Sequence, residues 1–521
     1  MAKRVAVIGG GCAGLVATKC CLDEGLEPVC FERTDEVGGL WLYTEKVRNS
    51  QGCVMRSTVI NTSKEMMCFS DYPIPKHYPN FMHNKQVWQY FKDYAEHFKL
   101  NEHIQYNTEV LKVTRAADFA KMGRWDLQIR DHKSGEERTE TFDAVLVCTG
   151  HHAEKNEPTF PGLSDFKGRV VHSHDYRQPS DYVGKRILII GIGNSGGDLA
   201  VELSRCGQVF LSTRRGAWIF NRIERGGYPW DLNYSSRATQ VMYNLLPLSV
   251  STGLIKREVN KQLDHDLYGL TPIYPPLTQH PTMNDELGNR LANGTVIIKP
   301  DVKRFTATGV EFVDGTMEEI DEVILATGYI FGFPFIEKEV VDIKENRAPF
   351  YKYMFPPDLE HNTLAIIGCI QPLGAIMPIA ELQCRLATRV FKGEIKLPSA
   401  SEMWEDVRAK ENAMAQRYWK SSRHTIQVDW IPFMDELAEL NGCKPDIVSF
   451  VTKDPVLAWH LLFGPCTPYQ YRLVGPGKWA GARDAILTTM DRVRFPMATR
   501  ELPPEVKAAK RQNYLVWFLA A

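Results

Sequence analysis

Two six-residue runs, Gly9-Gly10-Gly11-Cys12-Ala13-Gly14 and Gly191-Ile192-Gly193-Asn194-Ser195-Gly196, share the spacing G-x-G-x-x-G. Such a run suits one task, holding a pyrophosphate. The first glycine permits a tight turn, the second lets the backbone approach the phosphates, and the third lets a helix pack on a strand. The phosphates then rest on the helix N-terminus, where unpaired N–H groups and the macrodipole favour anions. Two runs in one chain predict two dinucleotides held together, with electrons passing from one to the other.

The residues beyond each run tell the dinucleotides apart. Past the first, Pro28-Val29-Cys30-Phe31 reads as a strand ending at Glu32. An acid about 20 residues after the glycines accepts hydrogen bonds from a ribose with a free 2′-hydroxyl and repels a 2′-phosphate. This site therefore suits FAD or NAD. Past the second, Val209-Phe210-Leu211-Ser212 ends in Thr213-Arg214-Arg215. Two guanidinium forks stand where the acid would be, matching the 2′-phosphate of NADP. Each charge-assisted bond contributes about 1.5–3 kcal/mol, roughly tenfold or more of preference for NADPH over NADH.

The elements that must position these residues are legible as well. Val5–Ile8 and Ile187–Ile190 read as buried parallel strands, each feeding a helix through its glycine run. The expected class is α/β, with two Rossmann-like dinucleotide-binding domains, an inserted helical and loop subdomain, and a helical C-terminal region. The boundaries are 1–160 for the first part of one domain, 161–330 for the other with its insertion at about 216–300, 331–445 for the return to the first, and 446–521 for the helical end. The segments ending Thr149-Gly150 and Thr327-Gly328 look like one element used twice. Thr363–Gly368 reads as a further buried strand. The insertion is rich in aromatics and proline, among them Trp218, Tyr228, Trp230 and Tyr274, and reads as a cover over the site or as a surface subdomain.

Composition bounds the function. A chain of 521 residues with net charge -1 and no basic stripe argues against a nucleic-acid partner. The twelve cysteines include no C-x-x-C, and no zinc spacing occurs. His172 and His174 read as structural. Met1-Ala2-Lys3-Arg4 runs directly into the first strand, so no signal peptide is expected. The apolar run from Tyr514 to Ala521 follows Lys507, Lys510 and Arg511. Eight residues are too few for a bilayer, which needs about 20; an interfacial segment, an anchor stump or a docked tail remain as readings.

Phe166-x-Gly168-x-x-x-His172-x-x-x-Tyr176 resembles the identifying sequence of the flavin-containing monooxygenases. So do Gly38-Gly39-Leu40-Trp41, Asn194-Ser195-Gly196-Gly197-Asp198 and Ala326-Thr327-Gly328-Tyr329. The resemblance covers nearly the whole chain. Cys68–Pro75, Ser212–Trp218, Gln279–Thr282 and Gln371–Pro378 are most similar to the isoform-five branch, which is associated with Baeyer–Villiger oxidation of ketones. Residues 46–56 depart from the family pattern, and family members carry a longer terminal anchor.

The resemblance implies an FAD- and NADPH-dependent monooxygenase in which NADPH reduces FAD and the reduced flavin takes up O2 as a C4a-(hydro)peroxyflavin. Substrates would be small lipophilic nucleophiles, oxygenated at soft nitrogen or sulfur, or carbonyl compounds. Asn61 matches the family's active-site asparagine; an amide donates and accepts hydrogen bonds without carrying charge. Asn61-Thr62-Ser63 is also a glycosylation sequon. The implied cofactor residues are Gly9, Gly10, Gly11, Cys12, Ala13, Gly14, Glu32, Arg33, Gly39, Leu40, Trp41, Ile60, Asn61 and Thr62 on one side. On the other are Gly191, Gly193, Asn194, Ser195, Gly196, Gly197, Asp198, Thr213, Arg214, Arg215, Thr327 and Gly328, together with Gln371. Arg222 and His280 are further candidates. The implied location is the cytoplasmic face of the endoplasmic reticulum membrane, with attachment through the C-terminal region; a homo-oligomer is left open. A flavin disulfide reductase shares the double-dinucleotide plan but needs a cysteine pair beside the flavin, and a cofactor-binding sensor would not need both sites complete. The alternative with the same cofactors is an NADPH oxidase releasing hydrogen peroxide, which differs in how well the activated oxygen is sheltered.

Overall fold

The computed structural model describes residues 2–48, 51–419, 421 and 424–506. The run Tyr514–Ala521 and the basic residues before it lie outside the described residues. The first unit begins with β1 (Arg4–Ile8), α1 (Cys12–Asp23), β2 (Glu27–Phe31), β3 (Ile104–Gln105) and β4 (Ala144–Val147). β1 pairs parallel to β2 and to β4, with Val7 opposite Cys30 on one side and Leu146 on the other. Val5, Ala6 and Val7 have no exposed surface. Burial on both faces is why this strand is apolar throughout rather than alternating.

The chain then crosses to the second unit through β5 (Glu154–Lys155) and β6 (Arg169–His172). It continues with β7 (Arg186–Ile190), α2 (Asn194–Leu203) and β8 (Gln208–Ser212). The insertion follows, with β9 (Ile219–Phe220), α3 (Trp230–Tyr234), α4 (Arg237–Leu245), α5 (Leu248–Val259) and β10 (Thr282–Met283). β11 (Val296–Lys299) pairs parallel to β8. The sheet therefore resumes inside the stretch that the sequence assigns to the insertion, whose apolar Val296-Ile297-Ile298 precedes the proline taken as its end. β12 (Glu322–Leu325) completes the centre of the second sheet, and β13 (Tyr329–Ile330) returns antiparallel to β5. β14 (Leu364–Ile366) then joins β4 in the first sheet.

Each main sheet has five strands, in the orders β14-β4-β1-β2-β3 and β11-β8-β7-β12-β6. The central strand in both precedes a glycine run, and both orders reverse direction there, which opens a crevice at the strand ends. α6 (Ile376–Lys392) covers α1 on the first sheet. Helices from Ala400 onward, including α7 (Ala400–Arg417), close the C-terminal side. One apolar cluster runs from Val5 to Val493 and gathers both ends of the first unit, whereas the second unit holds two smaller clusters on its two sheet faces.

Candidate active site

The two glycine runs adopt the same geometry. Gly9 has φ +105° and Gly191 φ +110°, a region that side chains rarely enter. A Cβ on Gly14 would lie 1.7 Å from the Gly9 carbonyl oxygen, and one on Gly196 would lie 2.0 Å from that of Gly191. These two glycines are demanded by the protein's own packing. The middle ones are not. A Cβ on Gly193 would meet nothing within 4 Å, and one on Gly11 would reach only the backbone of Gly39, at 3.5 Å. Gly11 and Gly193 are also the N-caps of α1 and α2, and neither helix start receives a side-chain cap. Each thus presents uncapped N–H groups beside a space that a side chain would fill, a cradle that fits a pyrophosphate. Gly10 has a separate reason to be glycine, because a Cβ there would come within 3.0 Å of Glu32.

Glu32 ends β2 and is buried. One carboxylate oxygen accepts from the Gly10 N–H at 2.6 Å, and the other from the Thr34 N–H at 2.8 Å and its hydroxyl at 2.7 Å. A carboxylate has about four acceptor positions, so capacity remains for a ribose hydroxyl. The Gly39–Trp41 turn lies against Gly11, with Gly38 N–H bonded to the Gly10 carbonyl at 3.0 Å. Arg33 is partly exposed and Leu40 exposed. At the matching place in the second unit, Arg214 and Arg215 follow β8 and are exposed, and the Arg215 guanidinium lies 5.0 Å from the Trp419 ring centroid. Thr213 sits just before them, its hydroxyl accepting from Gly216 N–H. Thr327 and Gly328 follow β12, where Gly328 has φ +86°. Gln371 opens β15 (Gln371–Leu373), paired with β16 (Gln427–Asp429), and its side-chain oxygen accepts from Gln427 at 2.6 Å.

Asn61 stands on the loop Ile60-Asn61-Thr62 before Ser63. Arg222 reaches it from the insertion. The Asn61 side-chain oxygen accepts from Arg222 Nε at 3.1 Å and Nη2 at 2.8 Å. With that oxygen engaged, the amide NH2 is left as the donor. Arg222 Nη1 donates to Asp285 at 2.8 Å, and Nη2 lies 3.7 Å from Asp198. A second tie comes from α3, whose Asp231 accepts from the Ser63 N–H at 2.7 Å. Burial pushes the carboxyls of Asp198 and Asp231 up to about 6, against the opposing pull of Arg222 on the first and of the Ser63 hydrogen bond on the second. The insertion therefore covers the Asn61 loop rather than lying apart from it.

The histidines divide. His172 bonds the Gly328 carbonyl at 3.1 Å, and His174 lies 2.7 Å from Asp175 and 2.8 Å from the Gln51 carbonyl. Both are occupied in holding the second unit's strand ends. His280 has a buried Nδ1 without a hydrogen-bond partner among the described residues, and burial lowers its imidazole to about 4. It is a neutral ring at pH 7. All twelve cysteines are free, and burial raises the Cys12 thiol, beside the first cradle, to about 11. Of the groups around Asn61, the sequence reading named Arg222 and Asp198 but missed Asp231 and Asp285. Both lie in the insertion, where neither periodicity nor motif marks an acid; the one available signal was the polar run Asn284-Asp285-Glu286 beside Thr282.

Comparison with known proteins agrees with this geometry. Residues 2–521 match the family described as FMO-like, flavin-binding monooxygenase-like. Flavin-containing monooxygenase 5 of Rattus norvegicus is 54% identical over 502 residues, spanning 96% of this chain and 94% of the relative. The Homo sapiens protein of the same name gives the same identity and coverage. Dimethylaniline monooxygenase (N-oxide-forming) 2 of Rattus norvegicus is 47% identical over 512 residues, spanning 98% of this chain and 95% of the relative. Among solved structures, S-allyl-L-cysteine S-oxygenase from Allium sativum has a TM-score of 0.64 at 25% identity, over 88% of this chain and 95% of that one. Cyclohexanone monooxygenase bound to ε-caprolactone has a TM-score of 0.61 at 16% identity, over 85% and 98%, a likeness of fold. With two cradles of one design and near-complete coverage by named enzymes, the chain belongs to the flavin-binding monooxygenase family and works as an FAD- and NADPH-dependent monooxygenase.

Proposed function

We propose that this enzyme oxygenates soft nitrogen and sulfur nucleophiles and inserts oxygen beside ketone carbonyls, one atom of O2 going to the substrate and the other leaving as water. The observation that carries the reading is the Asn61 amide, whose oxygen accepts from Arg222 in a chain that also carries two glycine cradles of one design. The cofactors supply the hydride and the activation of dioxygen when bound. The chain's own residues bind, orient and shelter. Glu32 and the uncapped start of α1 hold FAD, while the uncapped start of α2, Thr213, Arg214 and Arg215 hold NADPH. Arg222 fixes the Asn61 oxygen, so the amide NH2 is presented as an uncharged donor. A neutral donor supports bound oxygen without delivering the proton that would release hydrogen peroxide. Asp198 is engaged with Asn284 and Arg222, and oxygen transfer in this reading needs no acid or base acting on the substrate. Such a site admits any substrate reactive enough toward activated oxygen, which suits a broad class.

The likeness to the isoform-five branch supports the ketone reaction. The test incubates holoenzyme, NADPH and 18O2 with thioanisole, N,N-dimethylaniline and 2-octanone. The expected result is one labelled oxygen in each product, with 2-octanone giving an ester. NADPH consumption matched by hydrogen peroxide alone would favour an oxidase instead. We further place the enzyme at the cytoplasmic face of the endoplasmic reticulum membrane through its C-terminal region. No helix among the described residues is long and apolar enough to cross a membrane. Release into the soluble fraction on deleting 507–521 is the expected outcome, and equal membrane retention would refute that attachment.

A further inference from the structure

Asp285 stands one step behind the residues assigned to oxygen transfer. One of its carboxylate oxygens accepts from the Arg222 backbone N–H at 2.8 Å and from the Ile223 N–H at 3.3 Å; the other accepts from the Arg222 guanidinium at 2.8 Å. A single carboxylate thus clasps both the main chain and the head group of one arginine. The Arg222 side chain is 10% exposed, so little water competes for it. The fork left free by Asp285 is the Nε–Nη2 edge, and both atoms point at the Asn61 oxygen.

The segment carrying Asp285 is in turn fastened to the second glycine run. Thr282 hydroxyl donates to the Ile192 carbonyl at 2.5 Å, and the Met283 N–H donates to the Asn194 side chain at 2.8 Å. Asn284 donates to Asp198 at 3.0 Å, and its own oxygen accepts from the Glu286 and Leu287 N–H groups. A Cβ at Gly197 would lie 3.3 Å from Thr282 and 3.5 Å from Asn284, so helix and segment are in close contact. A continuous hydrogen-bonded route therefore runs from the second cradle through 282–285 and Arg222 to the Asn61 amide.

We propose that Asp285 is a positioning residue for oxygen transfer: by clasping Arg222 it holds the Asn61 amide in one orientation and so sets the share of NADPH that yields product rather than hydrogen peroxide. This rests on the assignment of Asn61 to oxygen transfer. Without Asp285 the guanidinium loses a charge-assisted partner and the Asn61 amide can rotate. Asp198, 3.7 Å away, does not substitute, because it bonds no main-chain atom of Arg222.

The experiment measures hydrogen peroxide released per NADPH consumed in Asp285→Ala, Asp285→Asn, Asn61→Ala and the double variant Asp285→Ala/Asn61→Ala, as holoenzymes. FAD content, the NADP+ dissociation constant of the oxidised enzyme and Tm are recorded for each. The expected result is a rise of about fivefold in the peroxide ratio for Asp285→Ala, a smaller rise for Asp285→Asn, and no further rise when Asp285→Ala is added to Asn61→Ala. FAD content and NADP+ affinity stay within about twofold. A purely structural Asp285 would lower Tm and leave the ratio alone, and that overturns the proposal. So does a rise that persists in full in the Asn61→Ala background. Failure of the Asn61 assignment shows separately, as an unchanged ratio in Asn61→Ala itself. Should Asp285→Ala not fold, the near-isosteric Asp285→Asn carries the same comparison.

Discussion

The two dinucleotide cradles share a strand, a turn and an uncapped helix, yet their second recognition elements sit in opposite surroundings. Glu32 is buried and already bonded to Gly10 and Thr34. Arg214 and Arg215 lie exposed at the rim. A ribose bound by Glu32 would meet a group fixed before it arrives, so little ordering cost falls on binding. A 2′-phosphate at the arginines would meet solvated cations, Arg215 over the Trp419 ring and both open to water, and would leave again more readily. The difference teaches that the first cradle suits a resident flavin and the second a dinucleotide that comes and goes with each turnover.

The sharpest way to break this contrast is Glu32→Arg. It places a cation in a buried position and removes the acceptor for Gly10 N–H. The purified protein is expected to lose bound FAD, with a flavin-to-protein ratio at least about tenfold lower. A yellow, active variant would refute the first cradle's assignment. Next in size, Arg214→Ala with Arg215→Ala should raise the KM for NADPH about tenfold or more while that for NADH moves little. Equal changes would remove the phosphate argument. Gly193→Ala sharpens the comparison differently. Because a Cβ there meets no protein atom within 4 Å, Tm should stay within about 1 °C while NADPH binding weakens several-fold. A matching loss of stability would mean that the space belongs to the protein and not to a ligand.

The smallest expected effect concerns pH. His280 in the folded protein titrates at about 4 rather than near its ordinary value. Between those values the unfolded chain binds the proton and the folded one does not, so stability falls as pH drops through this window. Asp198 and Asp231, raised to about 6, act with the opposite sign, since there the folded state keeps the extra protons. His280→Asn should therefore shrink the loss of Tm between pH 6.5 and 4.5 by about 2 °C. An unchanged slope would show that the imidazole is hydrated.

The central strands of both sheets were legible in the sequence because they follow from strong local signals. Val5–Ile8 and Ile187–Ile190 are continuous apolar runs that end on glycine, and Leu364–Ile366 is another apolar stretch that joins the first sheet. The glycine cradles were legible for the same reason, since a backbone demand leaves its mark on residue type. The roof over Asn61 was not. Asp231 and Asp285 are single acids whose meaning depends on folding across more than a hundred residues, from Asp231 to Ser63 and from Arg222 to Asn61. Val296–Lys299 was placed in the insertion because a four-residue strand whose apolar run is only three residues long, and stops at Lys299 before Pro300, carries too little local signal to stand apart from its flanking loop.

The order of strands in the first sheet has a consequence for biosynthesis. β4 awaits its neighbour β14, which leaves the ribosome roughly 220 residues later, about 10–40 s at ordinary elongation rates. The second unit, from β6 to β12, is continuous in the chain and can close its sheet during that interval. The unit begun first is therefore finished last, and until Leu364–Ile366 emerges β4 carries an open edge of bare N–H and C=O groups. A nascent chain paused in this stretch would expose a template for mispairing.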